Sequence, residues 1–340
     1  MRIDVNSTRS RSFHRLNVPG KLVLLRSSSL ARLETEHKRM EQFIQLILGR
    51  RSSPGVELRS YAYAIWHGQP SGSGPILYAT HQAGLFSCFT TIMWTIIEIQ
   101  QSDLMLPKQI SNAFGMDAFK NCPLADTFPR WFELPSGKAL ADLSSIKPLG
   151  DLMQAPNLFD HHGNYKILYG QLLGPAWLAT YFQAYMNPAL SLRDAIYALE
   201  CKYNISRLRT LVVCYRGTDK FTELHQDPIS LYIETAKHLI KELAIEQLII
   251  QTDQAQVRTL FQNLFGEQCI FIEELPATDG QIVLHEQLAG SVDRDTWALN
   301  LLAMVYACSK AAAVLTHTGN LGLFLSLMAR SQGAEVVQLR

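Results

Sequence analysis

Residues 210–223 read TLVVCYRGTDKFTE, an apolar run that ends abruptly in arginine, aspartate, lysine and glutamate. Six residues, all but Cys214 branched or aromatic, form the pattern of a short strand buried on both faces, as in a parallel sheet. A plain turn would be served by Gly, Asn or Pro, so this density of charge just past a core strand implies a ligand or an ion-pair network. Two later segments have the same form, LIIQTDQ at 248–254 and AVLTHTGN at 313–320. Ligands of open α/β sheets bind outside the carboxyl ends of the strands, which makes these three ends the key to the chain.

Working outward, short strand-like runs alternate with helical stretches throughout the second half, the signature of α/β layers. Helices are expected over 191–205, 229–245, 257–266 (closed by Gly266), 295–309 and 321–329, and strands at 210–215, 246–252, 269–275, 311–316 and 335–339. In the first half PILYAT (75–80) runs through HQAGLF, with Gly84 at the turn, into the apolar SCFTTIMWTIIEI. Residues 117–175 are loop-rich, with prolines at 123, 129, 135, 148, 156 and 175, a composition suited to a connecting or substrate-facing region. No internal repeat and no low-complexity segment stands out. The boundaries expected are a basic tail at 1–20, an α/β domain at 21–187 and a doubly wound domain at 188–340.

The 340 residues are 47% apolar, enough for a large core and for two domains, and the formal charge of +1 offers no global attraction for nucleic acid or anionic membrane. The first sixty residues alone lean basic, with twelve Lys and Arg against five Asp and Glu, around RSRSFHR and GRR. They read as a solvated tail followed by an amphipathic helix at LARLETEHKRMEQFIQLIL. Neither a signal peptide nor an 18-residue apolar span is visible, so no membrane span is expected and the cytoplasm is the default location. Six scattered cysteines without a C-x-x-C pair read as reduced thiols. Asp160-His161-His162 reads as a polar loop, and Asp293-Arg294-Asp295, a D-x-D, reads as helix capping ahead of metal binding.

At the three strand ends, Arg216 offers a permanently charged fork suited to phosphate oxygens. Thr316-His317-Thr318-Gly319-Asn320 opens onto an apolar helix whose N-terminal N–H groups make an anion site. With Asp253 these residues describe a cradle for a diphosphate. Singly, each has a plainer reading: a turn salt bridge for Arg216 and Asp219, an N-cap for Thr252-Asp253, an N-cap for Thr318. Neither GxxxxGK nor GxGxxG occurs.

The ordered set NPALSLRDAIYALECKYNI, LVVCYRGTDKFTE, LIIQTDQ and AVLTHTGNLGLFLSLMA resembles the donor domain of the α1,6- and peptide O-fucosyltransferase-like families, including the rhizobial chitooligosaccharide fucosyltransferases. The resemblance covers roughly residues 185–330; the first half matches loosely, at THQAGLFSCF. It implies a GT-B fold, two Rossmann-like doubly wound domains facing a central cleft, with the acceptor side in 21–187 and the nucleotide sugar in 188–340. GDP-fucose is then a substrate, no cofactor or metal is needed, and transfer inverts the sugar. Arg216 takes the place of the arginine on the β-phosphate, Asp219 that of the aspartate bracing the loop, and Asp253 the T-D strand end. Thr318 stands for the hydroxyl on the phosphates, in the turn with Thr316, His317, Gly319 and Asn320. Glu223, with Lys220, stands near the base for the acceptor hydroxyl, one residue closer than in the family.

The departures are equally specific. Cys214 replaces the family's leading histidine and Gly217 its second arginine. The acidic residue expected in the helix before the third motif falls among Asn300, Leu301 and Met304. Partners are therefore a nucleotide-sugar donor and a glycan, peptide or lipid-linked acceptor. A non-catalytic nucleotide-sugar binder, a transferase using another nucleotide sugar, and a metal-dependent transferase using Asp293 and Asp295 stay open.

Overall fold

The computed structural model describes residues 13–18, 21–26, 57–61, 63–68, 74–102, 104–146, 176–216, 227–278 and 293–339. The chain divides into two compact units, Met1–Val56 and Glu57–Arg340. In the first, strand β1 (Phe13–Val18) pairs antiparallel with β2 (Lys21–Arg26), Phe13 opposite Arg26. The sequence between them is Pro-Gly, a strong turn dipeptide. Residues 13–18, within the stretch read from its arginines as a tail, thus form a strand paired with 21–26. The amphipathic helix expected at 30–48 lies outside the described residues.

The second unit holds two sheets. The first has the order β3 (Glu57–Tyr61), β4 (Ala64–Gly68), β5 (Ile76–Ala79), β6 (Gln109–Ser111). Its β3–β4 and β4–β5 pairs are antiparallel, and only β5–β6 is parallel, joined by the long helix α1 (Leu85–Gln101). This corrects the expectation of a doubly wound first domain for the described residues. Two residues separate β3 from β4, and so short a link permits only an antiparallel return, whereas the β5–α1–β6 connection is long enough for a parallel crossover.

Past β6 the chain folds around two buried polar residues. The Asn112 side-chain oxygen accepts from the backbone N–H groups of Thr127 and Phe128, at 2.8 and 3.1 Å, and its amide donates to the Thr127 hydroxyl. Lys120, fully buried, donates to the carbonyls of Asn112 and Pro123, at 2.7 and 2.5 Å. These bonds satisfy carbonyls and N–H groups that a loop closed over a core would otherwise leave unpaired. Helices α2 (Phe128–Trp131), α3 (Gly137–Ser145) and α4 (Ala176–Tyr185) follow, α3 capped by the Ser136 hydroxyl.

The second sheet is entirely parallel. Helix α5 (Leu190–Tyr203) leads into β7 (Thr210–Tyr215), then α6 (Ile229–Glu242), β8 (Gln247–Thr252), α7 (Ala255–Phe265), β9 (Cys269–Phe271), α8 (Arg294–Cys308), β10 (Ala313–His317), α9 (Asn320–Ser331) and β11 (Glu335–Leu339). The spatial order is β11-β10-β7-β8-β9. The chain moves one way from β7 to β9 and returns to the other side of β7 for β10 and β11, which places a topological switch between β7 and β10. Both faces are covered. Leu211 and Val213 of β7, Leu248 and Ile250 of β8, and Ala313 and Leu315 of β10 pack with Tyr232, Ala236 and Phe261 of α6 and α7. The alternate residues Val212, Cys214, Ile249 and Val314 face the larger core shared with α1, α4, α8 and α9. Two buried faces require unbroken apolar runs, which is why these strands read so plainly.

Strand β9 is shorter than the expected 269–275. Glu273 and Glu274 leave the sheet to bind α5: Lys202 reaches their carboxylates at 3.1 and 2.7 Å, and the Tyr203 hydroxyl donates to Glu274 at 2.6 Å. The larger core centres on Phe324 of α9, whose ring lies 4.9 Å from Phe182, 5.3 Å from Phe86 and 5.7 Å from Tyr306. One aromatic side chain thus joins helices α1, α4, α8 and α9, and the first two turns of α1 and α9 lie side by side.

Candidate functional site

All five strands of the second sheet are parallel, so the three polar strand ends share one edge. Tyr215 pairs with Thr252, which makes Arg216 and Asp253 the next residues out on neighbouring strands. The Arg216 Nε lies 3.8 Å from the Asp253 carboxylate, with Asp253 largely buried. Asp253 therefore serves the arginine rather than capping α7, whose N-cap is Gln254 with no side-chain bond. Its main chain is fixed as well: the Thr278 N–H donates to the Asp253 carbonyl at 2.9 Å. The ion pair restrains the guanidinium at the strand end.

On the other side of the switch, Thr316, His317 and Thr318 are buried and lead directly into α9. The N-cap is Gly319, in extended conformation, and no side chain caps the helix, so Thr318 is not its cap. The Gly319 N–H donates to Nδ1 of His317 at 2.9 Å. The first intrahelical bond runs from Leu323 N–H to the Gly319 carbonyl at 2.8 Å. The N–H groups of Asn320, Leu321 and Gly322 precede that bond and form the positive end of a twelve-residue helix. No acidic residue stands in its first turn.

Gly322 is the residue the motif reading missed. A Cβ there would lie 1.8 Å from the His317 carbonyl oxygen, so the helix rests on the strand end at a distance only glycine permits. The signal was present, since a glycine inside the first turn of an apolar helix usually marks close backbone approach.

Behind the site, the Cys214 thiol donates to the Gln251 side chain at 3.0 Å, and burial pushes it up to about 12. Where the family resemblance expects a histidine, this chain carries an inert thiol bonded to the neighbouring strand. Met304 is fully buried among core residues, so it offers nothing to a base, while Asn300 on the same helix is half-buried. Asp219, Lys220 and Glu223 lie outside the described residues.

The D-x-D sequence has a structural occupation. Asp293 caps α8, one oxygen accepting from Thr296 N–H at 2.7 Å and the other from the Asn121 amide at 2.8 Å. Asp295 accepts from the Asn121 backbone N–H at 3.1 Å and faces Arg130 at 3.6 Å. Asn121 completes the clasp by accepting from Arg294 N–H at 3.0 Å, and Phe119 stacks on Trp297 beside it, centroids 5.1 Å apart. Each of the four carboxylate oxygens thus has a protein partner. Among the described residues no group of three or more His, Cys, Asp or Glu could hold a metal ion, and no helix is long and apolar enough to cross a membrane.

The first sheet has a comparable strand end. His81 follows β5, its ring 4.1 Å from Tyr63 and its Nε2 3.4 Å from the Ser87 hydroxyl. The loop at 114–117 closes over it: Met116 N–H donates to the His81 carbonyl, Asp117 N–H to the Gln82 side chain, and the Gln82 amide to the Phe114 carbonyl.

The sequence matches no protein-family model and no curated protein. Among solved structures, the chain is similar to the NodZ alpha-1,6-fucosyltransferase soaked with GDP-fucose, at 16% identity over 74% of this chain and 91% of that one, with a TM-score of 0.44. It is also similar to fucosyltransferase NodZ from Bradyrhizobium, at 14% identity over 76% of this chain and 90% of that one, with a TM-score of 0.40.

Proposed function

We propose that the chain is a glycosyltransferase that moves fucose from GDP-fucose to an acceptor hydroxyl, with inversion and without a metal ion. The observation that carries this reading is the meeting, at one sheet edge and across a topological switch, of the Arg216–Asp253 pair and the uncapped start of α9. A diphosphate placed there would accept from the Asn320, Leu321 and Gly322 N–H groups and from the guanidinium. The order of the strand-end motifs, and their resemblance to fucosyltransferase donor domains, supports the sugar and the base.

In the reaction, the acceptor oxygen attacks the anomeric carbon as the bond from that carbon to the β-phosphate breaks. Negative charge grows on the departing diphosphate, and preorganised donors act on it most strongly there. Arg216 and the α9 N-terminus are the groups for this, in the role a metal ion fills elsewhere. The proton of the acceptor hydroxyl goes to a carboxylate, for which Glu223, with Lys220 beside it and Asp219 bracing the loop, is the candidate from the family resemblance. Residues 188–340 are thus the donor half and the preceding sheet the acceptor half, with a glycan, peptide or lipid-linked acceptor.

Calorimetry with GDP, UDP and ADP, followed by transfer assays with and without excess EDTA, tests the reading. GDP should bind best, and EDTA should leave transfer intact. Arg216→Ala should reduce transfer about a hundredfold or more, the cost of removing a charged contact from a desolvated transition state. A preference for UDP or ADP would sink the fucosyl assignment, and strict dependence on manganese or magnesium would sink the metal-free mechanism. Nucleotide binding without any donor hydrolysis or transfer would favour the second reading, a non-catalytic nucleotide-sugar binder, for which the substitution of Gly217 for an arginine speaks.

A further inference from the structure

We infer that His317 is a positioning residue of the cradle, and that it works as a neutral imidazole with its proton on Nε2. The inference rests on the donor-site reading for its functional consequence and on geometry for its substance. The Gly319 N–H donates to Nδ1 at 2.9 Å, and a nitrogen that accepts a hydrogen bond carries no proton. The ring is nearly buried, so this tautomer is set by the protein rather than by solvent.

The bond does two things. It takes up the Gly319 N–H, so Gly319 is not a phosphate donor as its sequence position had implied. It also fixes the peptide between Thr318 and Gly319, and so the direction in which the next three N–H groups point. The backbone of the same residue supports the helix from beneath, because the His317 carbonyl lies where a Cβ of Gly322 would be, and it also receives the Gln338 amide at 3.5 Å. His317 thereby grips the first turn of α9 twice, by ring and by carbonyl. The ring contact is one that another side chain can imitate or remove.

Two substitutions separate the parts. In His317→Asn the side-chain oxygen takes the place of Nδ1 and can accept from Gly319, while nothing remains at the Nε2 position. In His317→Gln the polar atoms reach the Nε2 position and the acceptor for Gly319 is lost. GDP affinity measured by calorimetry is expected to stay within about threefold of wild type for His317→Asn and to fall about tenfold or more for His317→Gln, the worth of one buried hydrogen bond that orients the site. Equal losses in both variants, or a greater loss in His317→Asn, would overturn the positioning role. The ring is read independently in the unaltered protein by 15N NMR of labelled histidine at neutral pH. Nδ1 should resonate as an unprotonated nitrogen and Nε2 as a protonated one, and an imidazolium or the opposite tautomer would overturn the inference even where both variants fail to fold. Wild-type protein that binds no GDP but shows this tautomer would remove the donor-site reading and leave the His317–Gly319 bond standing.

Discussion

The two sheets of residues 57–340 each send a strand into a helix through nearly the same letters, Thr80-His81-Gln82-Ala83-Gly84 into LF and Thr316-His317-Thr318-Gly319 into NLGLF. Both helices have a glycine N-cap and no side-chain cap, and their first two turns meet through Phe86 and Phe324. They differ in what holds the turn. At β10–α9 the histidine ring is buried and grips the backbone, and the helix sits against the strand end at Gly322. At β5–α1 the histidine lies at a half-exposed surface beside Tyr63 and Ser87, a Cβ on Gly84 would meet nothing within 4 Å, and a separate loop supplies the support. Similar sequence thus yields a turn held by its own histidine and helix on one side and a turn held by a separate loop on the other. What distinguishes them is one glycine three residues into the helix.

The largest effect that could break this comparison is steric. Gly322→Ala should destabilise the protein by about 3 kcal/mol or more, because the obstacle is a backbone oxygen that cannot move aside. Gly84→Ala, at φ −58° and in open space, should instead change stability by less than about 1 kcal/mol, the entropy gain through the unfolded chain being offset by the poorer N-cap. Urea denaturation of the pair measures both, and equal and small effects would mean that the two turns are alike after all.

A second test separates structural from functional polar groups. Asn112→Ala strands the buried N–H groups of Thr127 and Phe128, which should cost about 2–4 kcal/mol of stability while GDP affinity stays near wild type. Arg216→Ala should do the reverse, lowering the melting temperature by about 3 °C or less and weakening GDP binding at least tenfold. Thermal melts and calorimetry on the two variants would show the opposite pattern if the polar residues of the first sheet were the binding site.

The smallest effect is in acid. Hydrogen bonds from the Thr296 N–H and hydroxyl, and then from Asn121, hold the Asp293 carboxyl below its ordinary value of 3.8. A depressed carboxyl stabilises the fold above its unfolded value, and that contribution is lost as pH falls through the folded one. Asp293→Asn should therefore flatten the acid limb of the stability curve below about pH 4 and change little at neutrality. An acid limb of unchanged slope would show that the cap at α8 is not maintained.

The second sheet was legible because it is buried on both faces: β7, β8 and β10 announce themselves as unbroken apolar runs, and the charges at their ends cannot belong to the core. The first sheet was less so. A link of two residues between β3 and β4 decides the antiparallel return, and nothing in the alternation of ELRSYAYAIWHG identifies its partner strands. Arg216, Asp253 and the turn at 316–320 were visible as types in order, whereas Gly322, Gln251 and the ring role of His317 depend on distances that appear only once strand and helix are packed. The D-x-D at 293–295 was legible as a cap, but its partner Asn121 was not, since no local pattern connects residues so far apart.

That separation bears on how the chain acquires its structure. The clasp joins Asn121 to Asp293, Arg294 and Asp295 across 172 to 174 residues, and Arg294 to the Asp117 carbonyl across 177. Contacts of such sequence separation form late, because the intervening chain must be ordered before they return any free energy. In a polypeptide growing from its N-terminus, Phe119 leaves the ribosome long before Trp297, the ring on which it finally stacks, has been synthesised. The clasp is thus expected to stay unmade through most of synthesis, with Phe119 lacking the ring that finally covers it, while the bonds of Asn112 and Lys120 within the loop can form beforehand. A chain cut short before residue 293 would lack the clasp altogether and would carry Phe119 without the ring that stacks on it.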